Sequence, residues 1–138
     1  MSFQEKSTWV LLAAMLAVYG WYASATFGGL AESGVPETAD NMRLIGTVGL
    51  MIVISIVAHI AIAIVTRSED ESDERDRLID LRGDQRGGFI MALGLLGTLT
   101  LALTGGSLFW IAHAALGGLV AGELVKSISK LIDCRRGV

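Results

Sequence analysis

The sequence predicts an all-α fold, a four-helix transmembrane bundle of two hairpins, oriented N-in/C-in with a short charged cytoplasmic helix before the third span. Three observations predict it. Hydrophobic residues make up 52% of the 138, and the mean hydropathy is +0.57. The apolar residues fall into four long stretches, each close to the roughly 20 residues a helix needs to cross a hydrocarbon core. The charges gather between and after these stretches, where a soluble domain would spread them over its surface. One integral membrane domain, 1–138, follows.

The first stretch, 9–27, opens at Trp9 and closes near Tyr19, Trp21 and Tyr22. Such an aromatic belt marks a span, and the stretch lacks the strongly basic lead-in of a signal peptide. The second runs over 44–65, the third over 88–104 and the fourth over 108–125. Between the last two stands only the turn Thr104-Gly105-Gly106-Ser107, so spans three and four form a tight helical hairpin. Of the eleven lysines and arginines only Arg43 falls on the side of the 28–42 connector. The positive-inside rule therefore places the N-terminus, the 67–87 loop and the C-terminus in the cytosol, with the chain in the cell (inner) membrane.

That loop carries most of the chemistry. It reads S-E-D-E-S-D-E-R-D-R-L-I-D-L-R-G-D-Q-R-G-G, with acids four residues ahead of arginines at Glu71/Arg75 and Asp73/Arg77. This order favours helical ion pairs and predicts a short helix over 69–82. Leu78, Ile79 and Leu81 give it an apolar edge, and Gly83, Gly87 and Gly88 are expected to loosen its join to span three. Either it is a solvated, topogenic linker, or it is a docking surface.

Asp73, Glu74, Arg75 and Asp76, with Ile79 and Arg82 beyond them, form an Asp-Glu-Arg-Asp motif followed by an aliphatic and a basic residue. In this the chain resembles a family of small prokaryotic four-span membrane proteins that carry the motif just ahead of their third span. The resemblance covers the four-span plan and this loop. It implies a role in signalling or in sequestering a cytosolic partner at the membrane, since small helix-turn-helix regulators are often encoded beside such proteins. The heavier acidic lead-in and the three glycines depart from the pattern.

Ionisable residues inside a span are costly and are functional candidates by default. His59 and Glu123 lie at matching depths, each roughly 22 Å from the outer end of its span. They form a candidate hydrogen-bonded pair, against the alternatives of a histidine bonded to backbone or Ser55 and an acid paired with Lys126. His113 lies nearer the outer end, beside Trp110, and is expected at the interface. The two histidines differ in depth by about 14 Å, too far to share a metal. Ala114, Gly118 and Gly122 recur every four residues, a candidate packing stripe that serves either the bundle or a homodimer seam.

Cys134 is the single cysteine, so no internal disulfide is expected. The net charge of −3 gives no electrostatic case for direct nucleic-acid binding. The acidic run lacks the central glycine and spacing of an EF-hand. No nucleophile, base or paired-carboxylate constellation converges at one depth, so no enzyme, cofactor or metal site is expected. The reading is a non-enzymatic adaptor or regulatory component with lipid, a cytosolic protein and a homodimer as partners. The alternative is a small proton-coupled transporter acting as a dimer, with His59 and Glu123 as its proton-responsive pair, although span one lacks the acid that small exporters carry there.

Overall fold

The computed structural model describes residues 3–34, 38–66 and 74–136. The described chain is four α-helices: α1 (Phe3–Ser33), α2 (Thr38–Thr66), α3 (Glu74–Leu103) and α4 (Leu108–Arg136). All four are long and apolar enough to cross a membrane. Two compact units are distinguished, Trp9–Asp70 and the remainder, Met1–Thr8 with Glu71–Val138.

In the first unit, α1 buries Leu12, Met15, Tyr22 and Thr26. These positions recur at steps of three, seven and four residues, one face of a helix. Thr26 is fully covered and its hydroxyl has no hydrogen-bond partner. On α2 the exposed residues include Ile45, Leu50, Ile52, Val53, Ile56, Val57, Ile60 and Ile64, an apolar circumference suited to lipid.

The second unit is built on the α3/α4 hairpin. Its turn explains why the chain reverses so sharply. Gly105 takes a φ of 79°, a left-handed conformation that favours glycine. The Gly106 amide donates to the Leu101 carbonyl at 2.9 Å and the Gly105 amide to that of Ala102 at 3.3 Å. This pair of bonds caps α3 as a Schellman motif and satisfies carbonyls that would otherwise be stranded in an apolar region. Ile111 then donates to the Ser107 carbonyl at 3.1 Å, starting α4.

From the turn the helices run antiparallel in van der Waals contact along glycines. In lipid the tails are as apolar as the side chains, so helix association depends on close packing more than on hydrophobic transfer, and small residues permit it. A Cβ added to Gly94 would lie 2.4 Å from the Gly118 Cα. One added to Gly87 would lie 2.8 Å from both the Gly122 carbonyl oxygen and the Lys126 Cβ, and one on Gly122 would lie 2.2 Å from the Met91 Cγ. Gly83 abuts the stem of Lys130, 2.7 Å from its Cγ by the same measure.

Gly83, Gly87 and Gly88 therefore do not loosen a join between a cytoplasmic helix and span three. The charged segment from Glu74 onward is helical, but it is the opening of α3 itself, which continues without a break through all three glycines. Interior glycines weaken a helix by roughly 0.5–1 kcal/mol each. Gly83 and Gly87 offset this by letting α4 close against the backbone, while Gly88 meets nothing. Residues 69–73 of the expected helix, and with them the Glu71/Arg75 and Asp73/Arg77 pairs, lie outside the described residues.

Candidate functional site at the charged end of the hairpin

Beyond the apolar stretches, α3 and α4 carry a band of charge that ties them together. Lys126 Nζ lies 3.0 Å from Asp84 Oδ1, and Lys130 Nζ lies 2.8 Å from Asp80 Oδ1 and 3.4 Å from Asp84 Oδ1. Arg86 donates through one guanidinium nitrogen to the Ser129 hydroxyl and to Asp133 Oδ2, the latter at 3.1 Å. Ser129 and Asp133 sit one turn apart on α4 and are both buried. The Arg86 side chain remains 51% exposed, so one end of this contact is dry and the other wet.

The two groups occupy opposite sides of the hairpin. Asp80 and Asp84 are one turn apart on α3, as are Lys126 and Lys130 on α4, and together they neutralise each other on one side. Arg86 and Ser129 mark the other. Arg82 precedes Arg86 by one turn, and Ile132 and Arg136 follow Ser129 by three and seven residues, which keeps all of them on the Arg86 side. Arg82, Arg136 and Ile132 are exposed.

Burial works against the charged form of Asp84, which lies ahead of the apolar stretch. The hydrogen bond from Lys126 and the charge of Lys130 outweigh it and hold the carboxyl below the usual aspartate range. Glu123, half-buried one turn before Lys126, adds its field to that ammonium group, so the i, i+3 alternative considered for this acid has an electrostatic basis.

The sequence-derived candidates fall as follows. The side chains of Glu74, Arg75 and Asp76, and all of Asp73, lie outside the described residues. Arg82 is exposed, but Ile79 is 2% exposed and is a core residue of the unit; the exposed aliphatic edge consists of Leu78 and Leu81. His59 lies on α2 with its side chain outside the described residues, which leaves its pairing with Glu123 there too. His113 donates from Nδ1 to the Phe109 carbonyl at 2.7 Å, its ring 4.0 Å from that of Phe109, which in turn meets Trp110 edge-on. Of the packing stripe, Gly118 and Gly122 face α3 and Ala114 is half-buried.

The contact of Arg86 with Ser129 and Asp133 was not anticipated. The signal lay in the turn: counting outward from Gly106 places Gly94 opposite Gly118, twelve residues each way. Continuing the count puts Arg86 opposite Lys126 and Gly83 opposite Ser129, each within a turn of the Ser129 and Lys130 they meet. No known protein family, curated protein or solved structure matches the chain.

Proposed function

We propose that this is a non-enzymatic adaptor or regulatory component of a prokaryotic cell membrane, with both termini and the charged end of α3/α4 in the cytosol, where they and the charged 67–87 segment hold a soluble protein against the bilayer. The supporting observation is the continuity of α3. A 30-residue helix extends about 45 Å, some 15 Å more than the hydrocarbon core it has to cross. The excess is braced to α4 by three ion-paired residues of its own, Asp80, Asp84 and Arg86. A topogenic linker needs charge but no bracing, whereas a binding surface gains affinity from being ordered in advance.

The reading is tested by co-purification from membranes in mild detergent, comparing the native chain with a variant whose residues 67–76 are replaced by glycine and serine. One discrete soluble protein retained by the native chain and lost by the variant is the expected result; by the family resemblance it would be a small transcriptional regulator. Identical co-purifying sets would overturn it. The acidic loop and the positive span ends give such a partner fast, charge-selected encounter.

A further inference from the structure

The Arg86 side of the hairpin end has the composition of a docking groove, and the inference drawn from it rests on the adaptor reading above. On α3 it presents Arg82, with Leu78 one turn before it at the outer edge; on α4 it presents Ile128, Ile132 and Arg136. All of these are exposed, Leu78 at 52%, Ile128 at 46% and Ile132 at 41%. Arg86 and Ser129 form the floor between the two helices.

Lipid does not account for Leu78 and Ile132, whereas Ile128, three residues past the apolar stretch, lies within the headgroup layer. Counting from the ends of the apolar stretches at 88 and 125, Leu78 stands about 15 Å and Ile132 about 10 Å outside the hydrocarbon. The polar headgroup layer is only about 5–7 Å deep on each side. Their exposure places them in water unless a protein covers them.

The charge of the groove selects its occupant. On the opposite side Asp80 and Asp84 are matched by Lys126 and Lys130. Here Arg82, Arg86 and Arg136 face one carboxylate, Asp133, which is buried and already held by Arg86. Arg82 and Arg136 make no ion pair among the described residues. The groove between two antiparallel helices accepts the ridge of a third, and an amphipathic helix binds through aliphatic residues at three- and four-residue spacing.

We infer that this groove, lined by Leu78, Ile128 and Ile132 and edged by Arg82 and Arg136, binds an acidic amphipathic helix of the cytosolic partner, completing a three-helix bundle outside the membrane. The aliphatic residues supply the contact area. The arginines exclude basic helices and set the direction in which the acidic one lies.

The test places a photocrosslinking side chain in the full chain in cells, at Leu78 or Ile132 on the groove, and at Asp80 or Asp84 on the lysine side away from it, with the crosslinked peptide identified by mass spectrometry. The expected result is capture of a soluble protein from Leu78 and Ile132, through a segment with aliphatic residues at helical spacing and acids in excess. Arg82→Glu and Arg136→Glu should each lower the yield about tenfold, and Arg82→Lys should keep it, since like charges across an interface repel.

Capture of lipid alone, of a second copy of this chain, or of a segment without acidic excess overturns the inference, as does a yield indifferent to charge reversal. A soluble protein captured from Asp80 or Asp84 but not from the groove overturns the inference and leaves the adaptor reading standing. Capture of no soluble protein from any of the four positions overturns both.

Discussion

Gly94 and Gly118 meet backbone to backbone: a Cβ on the first would lie 2.4 Å from the Cα of the second, and one on the second 2.7 Å from the Cα of the first. No flexible side chain stands between them to give way. Gly94→Leu or Gly118→Leu should therefore destabilise the hairpin by about 1–3 kcal/mol, the usual cost of overpacking. Gly97, three residues from Gly94, has open space around it. Thermal unfolding in detergent should separate the variants, with Gly97→Leu close to native; equal losses at Gly94 and Gly97 would contradict the contact.

The turn supplies a second measurement. Gly105→Ala forces a Cβ into a φ of 79° and should cost about 1 kcal/mol. Proteolysis of the connection between α3 and α4 in detergent should quicken accordingly. An unchanged rate would mean that the turn relaxes into another conformation without loss.

Arg86→Ala leaves Asp133 buried without its cation, and an unsatisfied buried group of this kind costs about 1–3 kcal/mol. Asp133→Asn should recover part of that loss when combined with it, because a neutral amide needs no counter-charge. A double-mutant cycle on unfolding free energy reads the coupling directly. Additive effects would show that the two side chains do not depend on each other.

The lysine side of the clamp should behave differently. Its carboxylates are half-exposed, so Asp84→Asn should change stability by less than about 1 kcal/mol and by less still in high salt. Because the folded-state carboxyl of Asp84 is depressed, its contribution is present above the unfolded value of about 3.9. It is lost as pH falls through the lower folded value. Melting of native hairpin and Asp84→Asn should differ at pH 6 and converge under strong acid; a gap that widens with acid would reverse the sign of the assignment.

Orientation can be read with Cys134 replaced by serine and a single cysteine placed at exposed Gln85. A membrane-impermeant maleimide should label it in inverted vesicles and not in intact spheroplasts. The opposite pattern would put the charged end outside.

The four spans and the hairpin turn were legible because length, hydropathy and a Thr-Gly-Gly-Ser connector leave few alternatives. The glycines were legible as small residues but not as to partner, since a small-residue stripe looks the same whether it meets its own chain or another. Gly83 and Gly87 illustrate the difficulty: alone they read as weak points, and only the closeness of Lys130 and Gly122 makes them points of tightest contact. Ile79 misled for a related reason. Its neighbours Leu78 and Leu81 share its chemistry, and one helical step of rotation decides which of them is covered. The Arg86–Asp133 contact joins residues 47 apart, a separation that periodicity within one helix cannot reveal.

The uninterrupted course of α3 has a mechanical consequence. A helix that breaks at the bilayer surface isolates its outer part from whatever the bilayer does; one that continues, fastened along its length to a neighbour, behaves as a lever. When hydrophobic thickness changes, transmembrane helices adjust by tilting. Over an arm of about 15 Å, a ten-degree tilt swings the tip by roughly 2–3 Å. Leu78 and Arg82 would move together, with Ile132 following through the clamp. Bilayer thickness would then be expressed as the height and inclination of that tip above the lipid surface, a coordinate to which anything resting on it is exposed.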